Sequence, residues 1–521
     1  MATRWDEIKK DPKGKTVPET LDAIQKQAAE STAKTTITFG TSGWRGVIGE
    51  AFTVQNVRIA VQAIVEMMKT PVYAQETGLV DFSEVQRRGI LIGRDNRLMG
   101  KIFMQTAAEV LAANGIHAWG STQEAITPDL SLTVVQKSFA GSINFTPSHN
   151  PFEYSGLKFN PADGGTADPV LTRLIESNAE TLMETPRLPS FDPAAHSAYI
   201  HSIDTRPIYI DTLRERNVVD LQFIQKSYHT DRIAFLVDNV HGASVGYLEQ
   251  VLDPIRFTAL RNQPDVLFGG AKPEPSAENL ALLFAELKKA SAPLKLGVIL
   301  DPDGDRVRFT DGVNDIDMNA FGAIAFHYLA TERGFPGGVA KSVATSNLVN
   351  CIAEKLGRPL FETAVGFKNF RRYLKSDQAV CAFEESDGIT VRHHTLEKDG
   401  VMGALLALEI TLRTGKPLGD YLKRLHQEYG AFYPKRFATP ITPEQKAALV
   451  NKLGGYKPGD QIGDRKIADI ITLDGFKFVF ADHSWLMIRP SGTEPKVRIY
   501  VEARKESDAE VLFQLGTGLI G

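Results

Sequence analysis

The sequence predicts an α/β protein made of repeated strand–helix domains, followed by a smaller α+β domain. Three observations lead there. An apolar run that ends in a polar tip occurs three times, as ILIGRDNR from Ile90, IAFLVDNVHGA from Ile233 and LGVILDPDGDR from Leu296; buried strands with functional carboxyl ends read this way. Helical patterns follow such runs or precede them. Val57, Val61, Ile64, Val65 and Met68 share one helical face, and a second helix is expected from about Lys101 to Gly115. From about residue 430 the pattern changes to the strands FKFVFAD, SWLMIRPS and KVRIYVEAR, then a helix expected to open on a capping box from Ser507 to Glu510.

Length and composition bound the domain count and the partners. A chain of 521 residues exceeds one hydrophobic core, so roughly three to four domains of about 100 to 200 residues are expected. Residues 182–207 carry four prolines and little periodicity, which sets a boundary near 205; the expected domains are 1–205, 206–312, 313–430 and 431–521. A net charge of −4 without a long basic run argues against nucleic acid as a partner. Cys351 and Cys381 form no CxxC pair, the N-terminus MATRWDEIKKDPKGK lacks an apolar signal core, and no run approaches a membrane span. A cytosolic protein that does not engage membranes is expected.

Taken in order, residues 1–35 are polar and expected to be peripheral, with a helical pattern from Leu21 to Ala29. FGTSGWRG, Phe39 to Gly46, then offers three glycines that let backbone approach a ligand and a planar fork of donors at Arg45. The stretch GSINFTPSHNPFEYSGLKFN, from Gly141, holds the hydroxyl around which the chain is organised. Pro147 and Pro151 restrict Thr146 and Asn150 to extended geometry, so Ser148 and His149 sit in a stiffened loop. A serine nucleophile needs activation, for which His149 beside it and Lys158 downstream are candidates. A Pro-bounded surface turn is the plain alternative.

DPDGDR sets Asp301, Asp303 and Asp305 on alternate positions directly after a strand, with Arg306 adjoining. Three carboxylates this close repel unless a cation sits among them, and hard oxygen ligands select Mg²⁺ or Ca²⁺. An EF-hand loop from Asp301 would need Gly and Glu where Arg306 and Gly312 stand, so that reading fails. Further on, GFKNF carries Lys368, a cation able to serve a phosphate or move a proton, and FEESDG carries Glu384, Glu385 and Ser386, acceptors suited to sugar hydroxyls. RPSGTEPKVR brings Arg489, Ser491, Gly492, Thr493, Lys496 and Arg498 together as phosphate donors. Solvated loops are the alternative for each.

TSGWRG, TPSHNP, DPDGDR, FEESDG and RPSGTEPK, in this order and at these separations, resemble the five loops of the α-D-phosphohexomutase family, which includes phosphoglucomutase and phosphomannomutase. The resemblance spans nearly the whole chain. It implies three α/β domains with mixed sheets and a smaller C-terminal α+β domain around a central cleft. It also implies Ser148 as a phosphoserine, and Asp301, Asp303 and Asp305 with a phosphoserine oxygen of Ser148 as Mg²⁺ ligands. Glu384 and Ser386 would hold sugar hydroxyls, with Arg306 and Arg498 also on the substrate, while Arg489, Ser491, Gly492 and Thr493 would take the non-reacting phosphate. Arg45, His149, Lys158 and Lys368 fall where the family places phosphate binding and proton transfer. One position departs: Phe383 stands where many members have glycine.

The implied reaction interconverts hexose 1-phosphate and hexose 6-phosphate, glucose first and mannose second, through a hexose 1,6-bisphosphate that also serves as activator. Two other readings stand beside it. One is a phosphosugar phosphatase with Asp301 as nucleophile, which leaves the SHNP loop unexplained; the other is a non-catalytic sugar-phosphate sensor, which needs no nucleophile. Oligomeric state stays open between monomer and dimer.

Overall fold

The computed structural model describes residues 3–40, 43–228, 232–252, 257–491 and 496–520. Its contacts divide the chain into two units, residues 1–315 with 393–413 and residues 316–392 with 414–521.

The first unit contains a six-stranded mixed sheet in the order Trp44–Val47, Tyr154–Pro161, Gly141–Phe145, Ile90–Arg94, Ala118–Ser121, Ile200–Ile203. The last four are parallel, and Tyr154–Pro161 runs antiparallel to both of its neighbours. Ile90–Arg94 and Gly141–Phe145 are buried along their whole length, which explains the apolar run that opens the first of them. The helix Val54–Met68 is capped by Thr53, whose side chain accepts from Asn56 N, and buries Val57, Val61, Ile64, Val65 and Met68. The 3.6-residue spacing of these side chains gives one continuous apolar face. The helix Gly100–Ala113 ends close to the expected glycine stop. Residues 200–203 pair with Ala118–Ser121 at the sheet edge, so the proline-rich stretch returns a strand to this sheet.

The next sheet, also mixed, has the order Asp315–Ile316, Val307–Thr310, Leu294–Leu300, Ile233–Asp238, Thr258–Leu260. Leu294–Leu300 and Ile233–Asp238 are its parallel, largely buried centre, so the polar tips after Asp238 and Leu300 emerge from carboxyl ends of neighbouring strands. In open α/β sheets that is where ligands bind.

In the second unit the sheet Leu360–Thr363, Gly338–Ser342, Ala379–Glu384, Gly388–Val391 is parallel except for its last pair. Six strands from Tyr433–Pro440 to Gln461–Ile462 form the all-antiparallel C-terminal sheet. Buried polar groups join the two. Glu502 accepts from Trp485 Nε1 at 2.8 Å and from Asn347 N at 3.0 Å, and Lys477 donates to Val343 O at 2.8 Å with its ammonium 4.2 Å from the Trp485 ring. Among the described residues no helix is long and apolar enough to cross a membrane.

Two local expectations are corrected. The N-terminus is not merely peripheral: it forms the helices Arg4–Lys10 and Val17–Glu30, and Trp5 and Ile8 are buried in the first domain's core. Two apolar side chains among polar neighbours carry too short a period to be recognised. The last helix, Glu506–Ile520, begins before Ser507, and Lys505 O accepts from Asp508 N and Ala509 N. Ser507 therefore lies inside the first turn and cannot cap it.

Phe383 sits within the strand Ala379–Glu384, fully buried against the helix Met318–Thr331. Gly322 of that helix makes room for its ring: a Cβ at Gly322 would lie 2.1 Å from Phe383 Cδ2. Gly322→Ala is expected to lower stability by about 1–3 kcal/mol through overpacking, with recovery in the Gly322→Ala/Phe383→Leu double variant. Urea unfolding of both checks this.

Candidate active site

The loop after Gly141–Phe145 is held by its neighbours rather than by its prolines alone. Ser148 has φ 57°, a left-handed conformation that costs an L-residue roughly 1–2 kcal/mol. Its N–H donates to Thr146 Oγ1 at 3.0 Å, and Thr146 Oγ1 donates to Asp95 Oδ2 at 2.7 Å. Arg97, from the polar tip of Ile90–Arg94, supplies the main restraint. Its guanidinium donates to the carbonyls of Ser148 at 2.7 Å, Asn150 at 2.5 Å, Pro151 at 2.6 Å and Tyr154 at 3.2 Å, and it pairs with Asp95 at 3.1 Å. Only a planar fork with several fixed donors can serve so many acceptors at once. Arg45 approaches the same loop, donating to Asn150 Oδ1 at 2.9 Å.

The Ser148 loop faces the acidic loop within the first unit. Ser148 Oγ donates to Asp301 Oδ2 at 2.8 Å and lies 3.3 Å from His149 Nδ1. Asp301, Asp303 and Asp305 are all buried, and one carboxylate oxygen from each lies within 4.8 Å of the others. Gly304 takes φ 66° in this turn, and a Cβ there would lie 2.6 Å from Ile126 Cγ2. Among the described residues Asp303 Oδ1 and Asp305 Oδ1 accept no hydrogen bond. Buried carboxylate oxygens are seldom left so. Three converging hard oxygens with acceptor capacity to spare fit a divalent cation such as Mg²⁺.

Lysines balance the acidic loop. Lys158 Nζ lies 2.6 Å from Asp303 Oδ2 and 2.8 Å from Asp305 Oδ2, and Lys398 Nζ lies 3.4 Å from Asp305 Oδ2. Lys158 is thus engaged by the carboxylates, and in spite of burial Asp303 and Asp305 hold its ammonium form well above the ordinary lysine range. Asp305 is held low although burial opposes this, because Lys158, Lys398 and Arg306 surround it. Burial, with Asp303 and Asp305 nearby, pushes Asp301 the other way, well above the usual carboxylate range. The His149 imidazole is kept neutral: desolvation first, then Arg306 and Arg45, lower its pKa well below the ordinary value. Arg306 N also donates to Asp301 Oδ1 at 3.0 Å.

The second unit carries the remaining candidates. Glu384 ends its strand and is buried, Ser386 lies half-buried in the following turn, and Lys368 is half-buried in the 3₁₀ turn Phe367–Phe370. Glu385 is occupied otherwise: its Oε2 accepts from Ser342 Oγ at 2.7 Å and Thr345 Oγ1 at 3.3 Å, which braces the turn. Arg489 and Arg498 are opposite partners on adjacent strands, so two cations share one end of the ladder. Arg489 Nε donates to Asp474 Oδ2 at 2.9 Å, and buried Ser491 accepts through its carbonyl from Lys446 at 2.7 Å. Gly492 and Thr493 lie outside the described residues.

Comparison with known proteins accounts for most of the chain. Four domain descriptions of one family match in order: phosphoglucomutase/phosphomannomutase alpha/beta/alpha domain I over residues 36–186, domain II over 207–314, domain III over 317–429 and the C-terminal domain over 442–514. The chain belongs to the phosphoglucomutase/phosphomannomutase family. The members of this family are phosphotransferring mutases of the isomerase class. A phosphoglucomutase of Komagataeibacter xylinus is 28% identical, over 90% of this chain and 88% of the relative. A phosphoglucomutase/phosphomannomutase of Thermococcus kodakarensis is 28% identical over 92% and 98%. The crystal structure of a phosphomannomutase-like protein from Thermus thermophilus superposes with a TM-score of 0.77 at 25% identity, covering 94% of this chain and all of that one.

For this family member the departure at Phe383 is one of core packing, since that side chain points at Gly322. Sequence reading missed Arg97, Thr127 and Lys398. Thr127 donates to Asp303 Oδ2 at 2.5 Å, and its N–H donates to Asp303 O at 2.8 Å. Arg97 did carry a signal, a charged residue at the tip of a buried strand; EKDG around Lys398 carried only that of a polar turn. Arg97→Met should leave Asp95 buried and unpaired, lowering stability by about 3–5 kcal/mol. Turnover should fall with it, and Arg97→Lys should recover little of either; chemical unfolding and an activity assay measure both.

Proposed function

We propose that the protein interconverts hexose 1-phosphate and hexose 6-phosphate, glucose first and mannose second, by passing a phosphoryl group through Ser148. The observation that carries this reading is Ser148 Oγ at 2.8 Å from Asp301, inside a carboxylate triad with two oxygens that accept no hydrogen bond among the described residues. A phosphatase with Asp301 as nucleophile would have no use for a serine hydroxyl held on it, and a sensor would have no use for the strained loop. The preference for glucose follows the name of the Komagataeibacter relative. Both cysteines are free, which suits a cytosolic setting.

In the proposed cycle the bond between phosphorus and Ser148 Oγ breaks as one forms to a sugar hydroxyl. The resulting hexose 1,6-bisphosphate turns around, and its other phosphoryl group returns to Ser148. Phosphoryl transfer of this kind is mostly positioning and charge neutralisation. Asp301, Asp303 and Asp305 would hold Mg²⁺, which supplies positive charge to the phosphoryl oxygens when bound. Lys158 keeps Asp303 and Asp305 in place and adds a fixed charge. His149, neutral and 3.3 Å from Ser148 Oγ, is suited to exchange the serine proton. Arg45 and Arg306 are the cations assigned to the transferring phosphoryl group, with Lys368 as a further proton or phosphate group. Glu384 and Ser386 take sugar hydroxyls. Arg489, Ser491, Gly492, Thr493 and Arg498 take the phosphate that is not reacting.

Intact-mass spectrometry of the chain treated with glucose 1,6-bisphosphate tests the reading: one phosphoryl group on Ser148 is expected, and capture on Asp301 would refute it. Ser148→Ala should lower turnover on the order of 10⁶-fold, by analogy with other nucleophile deletions, and near-normal mutase activity would sink the assignment.

Arg489 tests the shared anchor. The substrate binds in two orientations, so loss of a charged contact should cost roughly 1.5–3 kcal/mol, about ten- to a hundredfold in kcat/KM. Arg489→Ala should weaken the forward and reverse reactions alike while phospho-Ser148 still forms. Rates measured from glucose 1-phosphate and from glucose 6-phosphate decide it, and wild-type values in both would remove Arg489 from this role.

A further inference from the structure

The family match begins at residue 36, so the helices Arg4–Lys10 and Val17–Glu30 lie before it. We infer that this N-terminal helical hairpin is a positioning element for the Ser148 loop, acting through Trp5 and Lys9 on Phe152 and Glu153. The inference rests on the reading of Ser148 as phosphoryl acceptor.

The two helices are tied to each other, since Arg4 donates to Ala23 O at 3.2 Å and to Gln27 Oε1 at 2.8 Å. They are also tied to the turn after Trp44–Val47. Gln27 Nε2 donates to Gly49 O at 2.9 Å, and the buried Trp5 donates through Nε1 to Ile48 O at 2.9 Å. From that footing the first helix reaches the loop downstream of Ser148. The Trp5 ring lies 5.9 Å from that of Phe152, and Lys9 Nζ lies 2.8 Å from Glu153 Oε1. Glu153 is not a surface acid. Its side chain is 8% exposed and pairs with Lys9 through Oε1, and among the described residues its Oε2 accepts no hydrogen bond; the charge of Arg97 acts on it from farther away. Glu153 O in turn accepts from Ile48 N at 2.9 Å.

The loop is therefore gripped on two sides. Arg97 holds the carbonyls of Ser148, Asn150, Pro151 and Tyr154, and the hairpin holds the side chains of the two residues between Pro151 and Tyr154. A cover for the core would need Trp5 and Ile8 alone. The pairing of Lys9 with a nearly buried carboxylate in this loop goes beyond that, and it raises the Lys9 pKa chiefly through the hydrogen bond to Glu153.

The test uses the full chain. Lys9→Met removes the charge at a half-exposed position where folding should persist, and Lys9→Arg restores it. Trp5→Phe removes the Nε1 donor while keeping a ring, and Lys10→Met is the neighbouring control. Three quantities are measured: kcat and KM with glucose 1-phosphate and its 1,6-bisphosphate, and the rate at which ³²P-labelled phospho-Ser148 loses phosphate to water. With a looser loop, kcat should fall about three- to tenfold in Lys9→Met and Trp5→Phe, KM should stay within about twofold, and loss of label to water should change. Lys9→Arg should return to wild type and Lys10→Met should not depart from it. Wild-type kcat and label lifetime in both Lys9→Met and Trp5→Phe, with only a lowered Tm, would overturn the inference and leave the hairpin as a core cover. No label on Ser148 in the wild-type chain would instead overturn the underlying reading of Ser148.

Discussion

The Ser148 loop depends first on one buried guanidinium, that of Arg97. A loop between two strands presents carbonyls outside the sheet ladder, and buried carbonyls left unpaired are costly. Arg97 donates to four carbonyls of this loop and the start of the strand after it from one side chain. Because those donors are coplanar and fixed, they set the position of the backbone as well as its energy. A left-handed serine is tolerable under such constraint, and strain of this kind persists where the surroundings over-determine the geometry. The same Arg97 is neutralised by Asp95, which also accepts from Thr146, so the strand tip and the loop form one hydrogen-bonded block.

The second constraint is charge. Three buried carboxylates within 4.8 Å repel strongly in a medium of low dielectric, yet two lysines and an arginine surround them without meeting every oxygen. Lys158 and Lys398 share Asp305, Thr127 and Lys158 share Asp303 Oδ2, and Asp301 faces the serine. Each acid thus has a separate environment: burial and the two neighbouring carboxylates push Asp301 up, whereas at Asp305 Lys158, Lys398 and Arg306 outweigh burial. Gly400 N donates to Gly304 O at 2.9 Å, which brings the Lys398 turn onto the acidic loop although nearly a hundred residues of chain separate them.

How much of this was legible depends on the range of the interaction. Unbroken apolar runs with polar ends exposed the buried strands, and helical spacing exposed Val54–Met68, because burial of a face is a local periodic demand. The acidic loop was legible for a similar reason: three carboxylates on alternate positions have few structural uses. Residue chemistry alone could not tell Glu385 from Glu384; the family resemblance singled out Glu384, and the contacts with Ser342 and Thr345 show Glu385 bracing the turn.

By itself the sequence determined the α/β class, the late change to a strand-rich α+β domain and the family resemblance, and it singled out the serine and acidic loops as candidates; all are set by periodicity or by motifs within a few residues. Tertiary structure alone decided which groups meet. It placed Asp301 on Ser148, gave Lys158 to Asp303 and Asp305 in place of the serine, made Arg97 the clamp, turned Phe383 into the core and carried Lys9 to Glu153. Each of these joins residues far apart in the chain. Such pairings arise only when sheets bring separate strand ends together, so no local pattern records them.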